Sequence, residues 1–347
     1  MKRLMASACR IILALAAGLL LAASNSIASG GSTVKNESVA KLVWPQPPDP
    51  ARIAFVRTIA KPENLGAKLS TLNRLGNWIT GSQKGNEAFR KPFGISFDEQ
   101  DNLCLTDTGA NTVSFFDRSK RQWRQWDQIG TIRFSVPVSM AHSQGTFYVA
   151  DSGLGSVLMF DLKGKLIRQI TNHLERPSGL ALSGKRLYLA DSARHCIIVF
   201  NVNGEYITEF GSRGMQPGQF NFPTHLAVDR TGNLLVTDSM NCRVLVLDST
   251  GKFKSQLGSN GDSPGHFGRP KGVAADAVGN IYAVDALFDN FQLFDPSGKL
   301  LLHIGGTGAQ PGEFWLPNGI AINHDKEIFV TDSYNHRIQV FKSIGTP

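Results

Sequence analysis

One phrase recurs six times along the sequence and restricts what the chain can fold into. Its fullest copy reads Pro-Thr-His-Leu-Ala-Val-Asp from Pro223 and continues as Gly-Asn-Leu-Leu-Val-Thr-Asp up to Asp238. The prolines that open the copies are spaced 45, 40, 46, 47 and 47 residues apart; they are Pro92, Pro137, Pro177, Pro223, Pro270 and Pro317. The aspartates that close the phrase keep the same step; they are Asp107, Asp151, Asp191, Asp238, Asp285 and Asp332. A constant period of this size indicates one supersecondary unit that is copied and stacked.

Each copy is predicted to form four strands. In the copy that begins at Pro270, the strands are expected over 272–276, 281–285, 291–295 and 300–304, with Gly- and Pro-containing turns between them. The second strand is apolar at almost every position, as in Ile281-Tyr282-Ala283-Val284, which indicates that both of its faces are covered. Radial stacking of four-stranded sheets satisfies that demand. The sequence therefore predicts an all-β fold, a six-bladed β-propeller of four-stranded antiparallel blades.

The last copy is incomplete and predicts how the ring closes. It supplies three strands, at 319–322, 328–331 and 338–341, and no fourth one. An unpaired strand pattern, Arg52-Ile53-Ala54-Phe55-Val56-Arg57-Thr58-Ile59, stands before the first copy. We expect this N-terminal strand to pair outside residues 338–341 and to complete the last blade, which removes an open sheet edge.

The first residues have the pattern of a secretory signal peptide. Lys2, Arg3 and Arg10 precede a short apolar run that ends at the small residues Ser26-Ile27-Ala28, and the run is too short to span a membrane. We expect cleavage after residues 1–28, no transmembrane span in the mature chain, and an exported protein, periplasmic or extracellular. Cleavage lowers the formal charge from +8 to +5, and no basic cluster remains that would favour nucleic acid.

The rest of the mature chain divides into a linker and one domain. Residues 29–50 are rich in proline near their end and are predicted to be an extended linker. Residues 51–347 are assigned to the propeller. They include an insertion, 65–90, in which leucines at helical spacing predict a short amphipathic helix over 67–79. This helix is interpreted either as a cap that packs on the propeller or as a lid over its central channel.

Three cysteines follow the signal peptide. Cys104 lies within an apolar strand and is predicted to be a core residue. Cys196 and Cys242 fall one position apart in the alignment of neighbouring repeats, so that a disulfide between them is conceivable, although sequence cannot supply the required geometry.

The repeated phrase resembles the NHL repeat over residues 92–341. Its Asp…Asn-x-Arg pattern is intact at Asp238, Asn241 and Arg243, and again at Asp332, Asn335 and Arg337. The resemblance implies a propeller that acts as a binding or scaffold module. A second repeated phrase, Gly-rich and ending in Phe, occupies 211–220, 258–267 and 305–314. No helix follows it to receive a phosphate, so it is predicted to be a structural connector that ends in a packed Phe.

Some propellers similar to this one are enzymes, and their site residues are not matched here. The peptide-amidating lyases place zinc-binding histidines directly after the opening proline. The residues at those places are Phe93, Val138, Ser178, Thr224, Lys271 and Asn318. The calcium cluster of gluconolactonase-like propellers also has no counterpart. We therefore predict no catalytic residue, no metal site and no cofactor, and keep a diverged metal-dependent lyase or lactonase with a channel site as the alternative.

Five polar residues form the candidate site. Four of them follow the opening prolines of successive repeats and the fifth is their neighbour; the set is Ser178, Thr224, His225, Lys271 and Asn318. They are expected to gather at one mouth of the central channel, as a ligand site or as the lining of a water-filled channel. His225 is also interpreted as a hydrogen-bonding residue within its blade.

The sequence thus favours a binding function over catalysis. The expected partner is a protein, a peptide or a cell-envelope glycan, held on the loop-rich face of the propeller. RNA binding, as in animal NHL domains, is the third hypothesis. An exported protein seldom meets RNA, so no nucleic acid is expected.

Overall fold

The fold was analysed in a computed structural model that describes residues 42–68 and 88–345. The predicted signal peptide, most of the predicted linker and residues 69–79 of the predicted helix lie outside the described residues. Six sheets, each with at least four antiparallel strands, follow one another along the chain. The innermost strand of each sheet contacts the innermost strands of the next and the preceding sheet, including the last with the first. The fold is the predicted six-bladed β-propeller.

The blades are numbered in chain order, and their strands are given from the innermost to the outermost. Blade 1 contains Pro92–Phe97, Leu103–Asp107, Thr112–Asp117 and Gln122–Trp126. Blade 2 contains Pro137–Ser143, Thr146–Asp151, Ser156–Asp161 and Leu166–Ile170. Blade 3 contains Pro177–Ser183, Arg186–Asp191, Cys196–Asn201 and Tyr206–Phe210. Blade 4 contains Pro223–Val228, Leu234–Asp238, Arg243–Leu247 and Phe253–Leu257. Blade 5 contains Pro270–Ala275, Ile281–Asp285, Asn290–Phe294 and Leu300–Gly305. Blade 6 contains Pro317–Ile322, Glu327–Asp332, Arg337–Ser343, Ile53–Ile59 and Val43–Trp44.

The smaller elements lie in the connections. A two-stranded hairpin, Gln128–Ile129 with Ile132–Arg133, stands between blades 1 and 2. Three short 3-10 helices are formed by Pro62–Leu65, Ser239–Asn241 and Ser333–Asn335.

Blade 6 is completed from the N-terminal side, as predicted. Ile53–Ile59 runs antiparallel to Arg337–Ser343, with Ile59 opposite Ile338. The guanidinium of Arg57 donates to the Glu327 carboxylate at 2.7 Å, which ties the added strand to the second strand of the blade. Val43–Trp44 adds a fifth strand, although its segment was predicted to be an extended linker.

The core consists of six apolar clusters, one at each junction between neighbouring blades. The cluster between blades 5 and 6, for example, contains the fully buried rings of Phe291, Phe314 and Phe341. The second strand Ile281–Asp285 is buried at every position, because it lies in the middle of its sheet and is covered on both faces. Cys104 is a buried core residue, and the three cysteines in the described part of the chain are free, so Cys196 and Cys242 are not paired.

The aspartates that close the phrase stabilise the turns above the strands. The Asp191 carboxylate is fully buried and accepts from the backbone N–H groups of Glu175, Arg176, Ala193 and Arg194. In blades 4 and 6 the Arg of the Asn-x-Arg pattern also donates to the corresponding carboxylate; Arg337 Nε lies 2.7 Å from Asp332 Oδ2. A buried carboxylate needs such hydrogen-bond partners. The aspartates that close the phrase therefore stabilise the fold.

Hydroxyl groups join neighbouring blades next to the channel. Thr331 Oγ1 and Ser333 Oγ of blade 6 donate to the carbonyl oxygens of Phe93 and Pro92 in blade 1, at 2.8 and 2.6 Å. Ser239 of blade 4 makes the same bond to Pro270 of blade 5. These bonds tie the second strand of one blade, or the 3-10 helix that follows it, to the innermost strand of the next blade.

The two faces of the propeller differ in their chain segments. One face, here called the loop face, carries the start of every innermost strand, the loops between second and third strands, and the connectors between blades. The other, the turn face, carries the tight turns between first and second and between third and fourth strands. The Gly-rich connectors belong to the loop face and end, as predicted, in the fully buried Phe220, Phe267 and Phe314.

Candidate functional site

The five predicted site residues all lie at the loop-face end of the channel. The innermost strands of the six blades line the channel, and each begins at its opening proline on the loop face. Ser178, Thr224, Lys271 and Asn318 directly follow those prolines in blades 3 to 6, and His225 is one residue further along.

His225 reaches across the channel. Its Nε2 lies 3.0 Å from Oδ1 of Asn318, two blades away, and its ring stacks on Phe93 of blade 1 with centroids 6.2 Å apart. Blades 1 and 4 stand opposite each other in the ring. Side chains from opposite walls thus meet just below the mouth and obstruct the channel at this level. Phe93 is a member of this contact that the sequence reasoning did not include in the site.

His225 is neutral at physiological pH. Burial, together with the positive charge of Lys271, lowers the pKa of its imidazole to about 3. With Nε2–H donating to Asn318, the second ring nitrogen, Nδ1, is an acceptor. Nδ1 is buried and has no hydrogen-bond partner in the described part of the protein, and the same is true of Thr224 Oγ1 beside it. Buried polar atoms are normally paired. Two unpaired buried atoms on consecutive residues favour a site where a ligand or water supplies the missing hydrogen bonds.

Lys271 is the only lysine among the five residues, and its ammonium group is partly desolvated. Burial lowers the pKa of Lys271 to about 8, and the charges of Arg269 and Arg176 contribute in the same direction. Within residues 42–68 and 88–345, none of these three cations forms a salt bridge. Lys271 instead lies among like charges.

Ser178 has a different role from the other members. Its hydroxyl lies 2.9 Å from the carbonyl oxygen of Pro223 in the next blade and 3.1 Å from that of Ala190 in its own blade. This side chain connects two blades at the channel wall. The structure therefore brings His225 and Asn318 together directly, places Lys271 and Thr224 beside them, and uses Ser178 as a link between blades 3 and 4.

The rim of the channel mouth is formed by the residue that directly precedes the opening proline of each repeat, whereas four of the predicted site residues directly follow that proline. The residues that precede the opening prolines are, in blade order, Lys91, Val136, Arg176, Phe222, Arg269 and Leu316. Cationic and apolar side chains alternate around this rim, and the three apolar members are each 38% exposed. These rim residues could have been identified in the sequence, because each one directly precedes the opening proline of its repeat.

Exposed apolar residues are concentrated on the loop face. Large hydrophobic residues with exposed side chains on this face are Val136, Met215, Phe222, Met240, Leu287, Trp315, Leu316 and Tyr334. The turn face carries two among the described residues, Val278 and Ile344. Trp315 and Tyr334 contact each other with ring centroids 5.6 Å apart, and the ammonium of Lys91 lies 4.4 Å from the centre of the Tyr334 ring. The loop face is therefore the more apolar of the two faces among the described residues.

The described residues contain no group of three or more His, Cys, Asp or Glu side chains that could hold a metal ion. The Asp-x-x-Gly turns cap hairpins, as predicted; the Asp248 side chain accepts from the backbone N–H groups of Thr250 and Lys252. In the described part of the chain, no helix has the length and apolar character needed to cross a membrane.

Comparison with known families and structures agrees with this architecture. Residues 314–341 match the NHL repeat, and residues 171–236 and 230–291 match a 6-bladed beta-propeller family. No curated protein sequence matches the chain significantly.

Three solved structures illustrate the range of proteins that share the fold. Virginiamycin B lyase from Staphylococcus aureus is 14% identical, with 74% of this chain and 96% of the lyase covered and a TM-score of 0.53. A protein of unknown function from Bacteroides thetaiotaomicron is 17% identical, with 73% and 70% covered and a TM-score of 0.57. A chain of the nidogen/laminin complex is 17% identical, with 68% and 88% covered and a TM-score of 0.52. At these identities the likeness extends to the fold alone.

Proposed function

We propose that this chain, a six-bladed β-propeller that carries an NHL repeat, is an exported binding module that holds a protein or peptide partner on its loop face. The observation that carries the proposal is the concentration of exposed apolar side chains there. Met240, Leu287 and Trp315 are each more than half exposed, and they belong to neighbouring blades 4 and 5 and to the connector that enters blade 6. Large apolar side chains that are exposed together on one face indicate an interaction site.

The chemistry of this surface favours a polypeptide over a glycan. Met240 and Leu287 offer apolar contact and no side-chain hydrogen bond, whereas a sugar requires many donors and acceptors. Trp315 and Tyr334 provide large aromatic surfaces with polar tips, which are enriched among the residues that dominate protein–protein affinity. The backbone beneath them is held by the second strands and their buried aspartates, so that the surface is presented on a rigid support.

Site-specific photo-crosslinking tests the proposed surface. A photoreactive amino acid at Leu287 is expected to yield a discrete adduct with a polypeptide in the envelope fraction of the producing cells. The same amino acid at Val278, on the turn face of the same blade, is the matched control and is expected to yield none. Adducts of equal yield from both positions, or an adduct that contains glycan and no polypeptide, would contradict the proposal.

Substitution of the aromatic centre measures its contribution. Trp315→Ala is expected to weaken binding of the crosslinked partner by about tenfold or more, because truncation of a central interface aromatic commonly costs about 2 kcal/mol. Val278→Ala serves as the control. Unchanged affinity of the Trp315→Ala protein for the partner would show that Trp315 does not contribute to the proposed interface.

The proposal that the protein is exported is based on residues 1–28. Their basic start, short apolar run and small-residue end are the pattern that secretion machinery recognises. Fractionation of cells that produce the full chain is expected to recover a shortened protein outside the cytoplasm, and a chain without residues 1–28 is expected to stay inside. Full-length protein in the cytoplasm would contradict this part of the proposal.

A further inference from the structure

The mouth of the channel has the form of a cup with a closed floor. His225, Asn318 and Phe93 meet across the axis and form that floor. The charge of Lys271 acts on His225, and the alternating rim of cationic and apolar residues lies on the loop-face side of Lys271. Within the part of the chain that the structure describes, a ligand group can enter this cup from the loop face, whereas the stacked side chains prevent an extended chain from passing through it.

The cup is electropositive. The positive charges of Arg269 and Arg176 act on Lys271, and none of the three cations forms a salt bridge within the described residues. The carboxylates that close the second strands of the neighbouring blades are already engaged. Asp191 accepts backbone N–H groups of Glu175 and Arg176, and Asp285 accepts those of Gly268 and Arg269. An anionic group that enters the cup would therefore gain charge-assisted contacts that no side chain now provides.

The apolar residues of the rim set a second requirement for a ligand, in addition to its negative charge. Val136, Phe222 and Leu316 alternate with the cations, and each remains more than a third exposed. A ligand that satisfies the whole mouth therefore carries a negative charge at its tip and apolar groups directly behind it. A bare inorganic anion would leave the apolar part of the rim in water.

We infer that the cup receives the C-terminal carboxylate of a polypeptide whose last side chains are apolar. The inference rests on the proposed binding of a polypeptide to the loop face. A closed floor accepts the end of a chain and excludes its middle. Of the two ends, the amino terminus carries a positive charge that Lys271, Arg176 and Arg269 would repel. The carboxylate is complementary in charge, and the preceding residues contact the apolar members of the rim.

Pools of synthetic hexapeptides test the inference. The first pool is randomised at its first four positions, has apolar residues at the last two, and ends in a free carboxylate. The second has the same composition and ends in an amide. The third ends in an amide and carries one internal glutamate, which supplies the same charge away from the chain end. Retention of each pool by the immobilised full-length protein is measured by mass spectrometry.

The free-carboxylate pool is expected to be retained about tenfold or more above both amidated pools, because a charge-assisted hydrogen bond contributes about 1.5–3 kcal/mol. Lys271→Met and Arg269→Gln are each expected to remove most of that preference. Lys299→Met, in a turn on the opposite face of blade 5, is the matched control and is expected to leave it unchanged. Thermal unfolding of each variant verifies that it is folded.

Equal retention of the acid and amide pools would overturn the inference, as would equal retention of the internal-glutamate pool. Loss of the preference in the Lys299→Met control would do the same. These results are separable from failure of the proposed function. If the Leu287 crosslink persists while amidation has no effect, the loop face binds a polypeptide and its carboxylate is not what the cup recognises.

Discussion

His225 occupies a position that is glycine in most of the other blades. The corresponding residues are Gly94, Ser139, Gly179, Gly272 and Gly319. Glycine is required where the next innermost strand approaches closely; a Cβ on Gly272 would lie 2.5 Å from the carbonyl oxygen of Asn318. In blade 4 the position instead carries a large side chain that extends into the channel. The repeat could be predicted from sequence, but this reach across the axis depends on the width of the ring, which no single repeat encodes.

Lys271→Met is expected to stabilise the protein while it abolishes the proposed anion binding. The ammonium is partly buried beside Arg176 and Arg269, and its pKa of about 8 lies below the value of 10.5 for a free lysine. The charged form is thus disfavoured in the folded state. Removing it should raise the free energy of unfolding at pH 7 by on the order of 1–3 kcal/mol, after allowance for solvent screening. Such a trade between stability and binding is typical of functional sites.

The pH dependence of this difference has a definite sign. Below pH 8 the lysine is charged in both states, and the folded state bears the full cost of burying it. Between pH 8 and 10.5 only the unfolded state holds the proton, so the wild-type protein gains stability as pH rises. Urea unfolding of both proteins should show the largest gap below pH 8 and a shrinking gap above it. The charged groups that act on Lys271 are Arg269 and Arg176, and both are common to the two proteins. A gap that grows above pH 8 would contradict this account.

At the scale of elements, the connectors show what a repeated phrase can and cannot predict. The three Gly-rich connectors end in fully buried Phe residues, as predicted, because the phrase recurs at the blade period. One glycine of the phrase, Gly258, is required by the local geometry. It has a positive φ of 71°, and a Cβ there would lie 2.3 Å from the Phe267 ring. The connection between blades 1 and 2 lacks the phrase and forms the Gln128–Ile129 hairpin instead. Without a repeat to compare, its pairing could not be predicted.

Phe267→Ala is expected to lower the free energy of unfolding by about 3–5 kcal/mol, because it leaves a cavity between blades 4 and 5. The control is Phe222→Ala, which truncates a ring that is 38% exposed on the same face and should cost less than about 1.5 kcal/mol. Chemical unfolding monitored by circular dichroism measures both. Similar losses in the two variants would show that the connector ring does not anchor the junction between those blades.

At the scale of the whole molecule, the ring is closed by two kinds of contact. Hydroxyl groups of Thr331 and Ser333, at the end of the second strand of blade 6 and just after it, join that blade to the innermost strand of blade 1, and Ile53–Ile59 completes the outer part of blade 6. The missing strand and the orphan strand could both be identified in the sequence, so this closure was predictable. The alternation of cationic and apolar residues around the mouth can also be read from the residue before each opening proline, although its meaning emerges only when the six repeats are placed on one circle.

A chain that begins after residue 60 is expected to melt at a temperature lower by about 10 °C or more. It loses the strand that pairs with Arg337–Ser343, and the edge of blade 6 and the rings of Phe291 and Phe341 become more exposed. A chain that begins at residue 41 keeps both added strands and is the control. Differential scanning calorimetry compares the two. Equal melting temperatures would show that the added strand does not hold the ring together.

The pairing of Ile53–Ile59 with the last strand, Arg337–Ser343, also determines when the molecule can fold during synthesis. Arg57 and Glu327, which meet in blade 6, are 270 residues apart in the chain. Five blades can be assembled while the ribosome is still translating, but the sixth has to wait until its third strand has emerged. Until then the nascent protein is an unclosed arc with two uncovered sheet surfaces. That delay leaves a period in which a translocase or a chaperone can still engage the chain.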